Sequence, residues 1–164
     1  MEERSRLGIV LLVGTIVVGL YLARDANLNR PAPMFTLPTT YGTWVNLESY
    51  RGQPVLLVFW ATSCGICQHE LPLLNNLAPD FQSKGISIVA IHFRGKDDAA
   101  AYMRDNHINL TSLVDNEGTV WQAYHVNGVP KLVLIGSDGK VKRTSSGWTD
   151  KSVLRKWMKA AGGS

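Results

Sequence analysis

Only two cysteines occur in the 164 residues, Cys64 and Cys67, and no second pair accompanies them. A framework of structural disulfides is therefore excluded. A bridge between these two would close a very short loop and constrain little, so a purely structural role is poorly supported. A tetrahedral zinc site asks for four ligands, usually with a second pair at matching spacing. The histidines, His69, His92, His107 and His125, are scattered singly and do not supply one. The chain also lacks internal repeats. It has no contiguous basic stripe and no nucleic-acid reading motif, although its net charge is +4 and its pI about 9.2. Its Lys and Arg are dispersed, apart from modest groups at Lys140, Lys142, Arg143 and at Lys151, Arg155, Lys156, Lys159. Nucleic acid is thus not expected as a partner. With 45% hydrophobic and 18% charged residues, the chain can bury an ordinary core. Its length fits one domain plus an appendage.

Charge is missing altogether from Leu7 to Ala23. As a helix this run would be about 25 Å long, slightly short of a ~30 Å hydrocarbon core. Tyr21 would reach the far interface. A cleaved signal peptide is the competing reading. However, Tyr21-Leu22-Ala23 has a bulky residue where a small one is needed, and Val17-Val18-Gly19 is a weak alternative. No cysteine follows the run, which excludes a lipoprotein anchor. We expect an uncleaved single-span anchor at 7–23. Arg4 and Arg6 precede it, so residues 1–6 should be cytoplasmic and the remainder should face the opposite, oxidising side. Residues 24–33, polar and with two prolines, read as a linker, and residues 34–164 as the folded domain.

What the chain does have is a cysteine pair in a telling place. Val55-Leu56-Leu57-Val58-Phe59 reads as a buried strand. Trp60-Ala61-Thr62-Ser63-Cys64-Gly65-Ile66-Cys67 follows, and Gln68 to Ser83 reads as a helix with Leu71, Leu74, Leu77 and Phe81 at helical spacing. Pro72 should kink it. Cys64 therefore sits near a helix N-terminus, where partial positive charge and unpaired N–H groups favour a thiolate. Such cysteines titrate at roughly 3.5–7.5 rather than ~8.5. Cys67, one turn on, can close a disulfide. This is the geometry of a reversible two-electron switch, with Cys64 as nucleophile and Cys67 as resolving thiol. A second reading makes Cys64, Cys67 and His69 part of a Cu(I)- or zinc-handling module. A third is a thiol oxidase.

The segment from Trp60 to Cys67, with Glu70 and Pro72, resembles the active-site segment of membrane-anchored extracytoplasmic thioredoxin-like proteins of the TlpA, ResA and cytochrome c maturation reductase type. Arg94–Asp98 and Gly147-Trp148-Thr149 look most similar to the suppressor of copper sensitivity D proteins within that group. The resemblance runs from about Pro31 to the C-terminus. It implies an α/β thioredoxin-like fold with an N-terminal β-hairpin and a central insertion, preceded by one transmembrane helix. It also implies a protein thiol-disulfide oxidoreductase working in the reducing direction in the periplasm, held in the inner membrane. Its substrates would be protein disulfides, its electron donor a transmembrane thiol carrier, and the redox-active disulfide would serve without cofactor or metal. We expect a monomer. Pro130, in Val126-Asn127-Gly128-Val129-Pro130, would be a cis-proline facing the pair. It would leave the Val129 backbone open to a substrate segment and crowd out metals. Trp60, Gly65 and Ile66 would support the pair.

Further elements follow from local pattern. Met34–Leu37 and Trp44–Leu47 read as a hairpin, and Ile86–Ile91 as a strand parallel to the first. Asp97-Asp98 should cap a helix to about His107. Leu110–Val114 reads as extended, Glu117–Tyr124 as helical, and Lys131–Ile135 as a strand. Ser137-Asp138-Gly139 is a turn before a last strand from Val141. Thr149 should cap a final helix carrying Val153, Leu154, Trp157 and Met158. Some positions depart from the resemblance. Val58 stands where minimal thioredoxins bury an aspartate, and no glutamate lies near Gly95. Glu70, three residues past Cys67, is either a redox-tuning group or a surface carboxylate; His92 and Asp97 are weaker candidates. Ser63, Ile66 and Lys131 replace a common tryptophan, proline and threonine.

Overall fold

The computed structural model describes residues 28–161. Its elements are β1 (Thr36–Pro38), β2 (Trp44–Asn46), a 3-10 turn (Leu47–Tyr50), β3 (Val55–Trp60), α1 (Gly65–Gln82), β4 (Ser87–Phe93), α2 (Lys96–Asp105), β5 (Thr111–Asp115), α3 (Thr119–Ala123), β6 (Lys131–Ile135), β7 (Val141–Ser146) and α4 (Lys151–Ala161). The expected anchor at 7–23 and the start at 1–6 lie outside the described residues. No helix among the described residues is long and apolar enough to cross a membrane.

Every residue of β3 is buried, so it can only be an inner strand covered on both faces. It pairs in parallel with β4 and antiparallel with β6. The full sheet order is β5-β4-β3-β6-β7, and β1 and β2 form a separate hairpin. Alternation along β3 divides the core. Leu56, Val58 and Trp60 face one cluster with Leu71, Leu74 and Phe81 of α1, Ala99 and Met103 of α2, and Leu154 and Trp157 of α4. Val55, Leu57 and Phe59 face the other, with Phe35 and Leu37 of the hairpin region, Val120 of α3 and Tyr124 just after it. The sheet is thus sandwiched, α1, α2 and α4 on one side, the hairpin and α3 on the other. Residues 29–32 run beside the start of β7: Asn29 N–H donates to Val141 O (2.7 Å) and Ala32 N–H to Gly139 O (2.9 Å), so this part of the expected linker at 24–33 belongs to the folded domain, with Ala32 buried in its core.

Four boundaries differ from the expectations, each because a cap lies elsewhere. Helix α1 starts at Gly65 rather than Gln68, because Cys64 itself caps it. Pro72 and Pro79 both lie inside it. Helix α2 is preceded by Gly95 at φ 70°, without a side-chain cap, so Asp97-Asp98 fall in its first turn and do not cap it. Helix α3 is shorter than Glu117–Tyr124: the buried Asp115 carboxylate accepts the Gly118 and Trp121 N–H groups (3.0 and 2.9 Å) and sets its start. Helix α4 is capped by Asp150, whose Oδ1 accepts Ser152 N–H (2.7 Å), and not by Thr149, whose hydroxyl bonds Ser145 Oγ (2.9 Å) instead.

Candidate active site

The turn from Trp60 to Gly65 delivers the cysteines from strand to helix. Cys64 and Cys67 are joined in a disulfide, with Cα atoms 5.2 Å apart. That spacing lies in the ordinary range for a bridge. Cys64 is partly exposed, and Cys67 is fully buried. Cys64 Sγ accepts the Cys67 N–H (3.1 Å), so the helix dipole points at this sulfur. The same sulfur lies 3.5 Å from the Val129 carbonyl oxygen. Oxidised, it has no proton to give; as a thiol it can donate to that carbonyl. The Val129–Pro130 bond is cis, as the resemblance implied. Gly65 and Ile66 are exposed between the cysteines, and Gln68 Nε2 donates to Thr62 O (3.0 Å), closing the turn.

Glu70 is not a surface carboxylate. It is 0% exposed, and its Oε1 accepts the Thr149 N–H (2.8 Å). Oε2 has no partner among the described residues. Burial pushes its pKa up to about 7, against the pull of the Thr149 bonds. On α1 it lies one turn beyond Cys67, so both face the same interior. The buried acid that Val58 does not provide from the strand is therefore provided from the helix.

Trp60 is fully buried in the cluster that includes Cys67, with its ring 4.6 Å from His92 and 5.2 Å from Tyr102, centre to centre. His92 is buried, and its Nε2 accepts the Thr62 N–H (3.1 Å). This bond assigns the ring proton to Nδ1 and the neutral form to the imidazole. Burial lowers its pKa, in the same sense. His92 thus holds the turn in place through Nε2. The Asp97 side chain lies outside the described part of the structure.

Sequence reasoning missed three contributors. Lys131 Nζ donates to the Tyr124 and His125 carbonyls (both 2.8 Å). It ties down the chain after α3 that leads to Pro130. Thr149 supplies Glu70's donor. Gly147, at φ +77°, donates its N–H to Pro130 O (2.8 Å). A visible signal existed only for Gly147, whose left-handed backbone suits glycine. Among the described residues, no group of three or more His, Cys, Asp or Glu side chains converges as a metal cage; His69 is exposed.

The comparisons fit this geometry. The AhpC/TSA family profile matches residues 28–144. The thiol-disulfide oxidoreductase ResA of Bacillus subtilis is 33% identical over 170 residues, covering 96% of this chain and 94% of the relative. That of Bacillus cereus is 28% identical over 159 residues, covering 92% of each. Among solved structures, a Chlorobium tepidum protein assigned as the thiol:disulfide interchange protein DsbE superposes with a TM-score of 0.77 at 30% identity. It covers 83% of this chain and 98% of that one. A secreted Mycobacterium tuberculosis disulfide oxidoreductase gives 0.70 at 25%, covering 77% and 95%. A strand–CxxC–helix junction, a cis-proline loop against its first sulfur and relatives that match along nearly the whole chain lead to one assignment: the chain belongs to the AhpC/TSA family and, within it, to the thioredoxin-like thiol-disulfide oxidoreductases of the TlpA/ResA type.

Proposed function

We propose that this oxidoreductase reduces disulfides of extracytoplasmic proteins. Residues 7–23 would anchor it in the inner membrane, residues 1–6 would lie in the cytoplasm, the linker would be the part of 24–33 before the residues packed on the domain, and the domain would act in the periplasm as a monomer. The observation that carries the exchange chemistry is the division between the two sulfurs: Cys64 accessible at a helix N-terminus, Cys67 buried behind it.

In the reduced protein, the Cys64 thiolate attacks one sulfur of a substrate disulfide. A Cys64–substrate S–S bond forms, the substrate's own S–S bond breaks, and the departing thiolate takes a proton from water. Cys67 then loses its proton and attacks the Cys64 sulfur. The mixed disulfide breaks and the second substrate sulfur leaves as a thiolate, which takes a proton from water. Two electrons have moved from the pair to the substrate. Glu70, buried one turn away, takes the Cys67 proton. A transmembrane dithiol carrier then restores the pair. The direction rests on the likeness to the cytochrome c maturation reductases and the suppressor of copper sensitivity D proteins. Apocytochrome cysteines or proteins of a copper-tolerance system are the substrates that likeness suggests.

The test is a redox titration of the full chain in detergent. The protein is equilibrated across thiol/disulfide buffers, trapped by alkylation and read by mass. We expect a midpoint near or below about −270 mV, the range of a reductase that needs a dedicated donor. A midpoint near about −120 mV would make the protein an oxidant and overturn the direction. A pair that does not cycle would move metal handling to first place.

A further inference from the structure

Two segments meet at the Cys64 sulfur, 61–68, which carries it, and 126–130, whose Val129 carbonyl lies 3.5 Å from it, and a third, 144–149, is joined to them. The third is tied to the proline segment and to the cysteine helix by hydrogen bonds on either side of a single residue. Gly147 N–H donates to Pro130 O (2.8 Å), and Thr149 N–H donates to Glu70 on the cysteine helix (2.8 Å). The residue between them is Trp148. Its backbone is pinned from both sides, yet its side chain is 50% exposed. Ile66, between the cysteines, is 47% exposed. None of the three segments holds an Asp, Glu, Lys or Arg, although the chain as a whole carries 17 basic and 13 acidic residues, and Glu70, just past the first segment, is fully buried. The surface that these segments present is therefore uncharged, with Ile66 and Trp148 as its large exposed apolar side chains among Thr, Ser, Asn and Gln. The other side of that surface has Ser63 immediately before the first cysteine and offers no aromatic there. A half-exposed tryptophan contributes little to a core, but an indole on a rigid backbone binds an apolar side chain at small entropic cost.

We propose that Trp148 is a specificity-determining residue of the exchange reaction: its indole contacts an apolar side chain adjacent to the target cysteine of a protein disulfide, with Ile66 as the second apolar contact. The partner is an uncharged, cysteine-bearing segment with an apolar flank. A strongly charged segment would lose hydration at this surface without gaining a counter-charge. This inference rests on the exchange reaction proposed above.

The experiment measures the second-order rate at which the reduced full chain attacks two peptide disulfides. They differ only in the residue beside the target cysteine, leucine in one and serine in the other. We expect wild-type protein to favour the leucine peptide about tenfold. Trp148→Ala should bring the ratio to about twofold or less, and Trp148→Phe should restore most of it. Trp44→Ala, at a tryptophan 67% exposed on the distant hairpin, should keep the wild-type ratio. A Trp148→Ala protein that keeps the tenfold preference overturns the inference and leaves the exchange reaction standing, as does a wild type with no preference. A wild type that attacks neither peptide overturns the exchange reaction itself.

Discussion

Cys64→Ser is expected to abolish disulfide exchange, with a loss on the order of 10³-fold or more, because it removes the group that forms the covalent intermediate. Cys67→Ser should behave differently. It should still attack a substrate disulfide but stop there, accumulating a stable Cys64–substrate adduct. The distinction follows from burial. Cys67 is fully enclosed, whereas Cys64 is partly open and sits where the helix N-terminus stabilises its thiolate. Only Cys64 can meet an incoming disulfide, and only Cys67 can reach the Cys64 sulfur from behind. Mass spectrometry after mixing each reduced variant with a peptide disulfide reads both results. An adduct on Cys67 in the Cys64→Ser protein would reverse the assignment.

Glu70→Gln should flatten the pH dependence of stability. In the folded chain the carboxyl titrates near pH 7, above its ordinary value of 4.5. The folded state therefore holds a proton that the unfolded state has already released between those two pH values. When the native state binds more protons, stability falls as pH rises. The native state is thus most favoured below about pH 4.5, and that advantage is lost as pH climbs through 7. The displacement corresponds to a loss of about 3 kcal/mol by pH 9. Glutamine keeps an oxygen for the Thr149 N–H and has no proton to lose, so the variant should lack this component. Urea unfolding of the oxidised wild-type and variant proteins at pH 5 and pH 9 isolates it. Equal pH slopes in the two proteins would place the carboxyl in water. The same substitution should slow release of substrate from the mixed disulfide, because the proton acceptor for Cys67 is gone.

These two sites were not equally legible. The cysteine pair was readable from its setting, because an all-apolar run such as Val55–Phe59 must be an inner strand and the Leu71–Leu74–Leu77–Phe81 spacing must be a helix. Their junction could then be placed without tertiary information. Glu70 shares the helical face of those leucines, so its burial was half visible. Its partner was not, since the Thr149 N–H lies 79 residues further along, and no local pattern connects them. Asp115 and Asp150 show the same limit on a smaller scale. Each binds N–H groups at a helix start that had been assigned to a neighbour, Asp150 as the cap and Asp115 from three residues before the Gly118 cap, because what fixes a helix start is which side chain reaches the first free N–H groups and not composition alone. His92 lay just past the strand read as Ile86–Ile91, and its bond to Thr62 depended on the register that sets it opposite Trp60.

Helix α1 begins at the atom that changes oxidation state, since the Cys64 sulfur accepts the Cys67 N–H that opens the helix. In a mixed disulfide, an internal disulfide or a thiolate, a sulfur with a free lone pair stands at that same point. The catalytic cycle thus turns over on a joint that never loses its keystone. What passes through the site is electrons and substrate, while the strand, turn and helix that aim the sulfur need not be taken apart and rebuilt at each turnover.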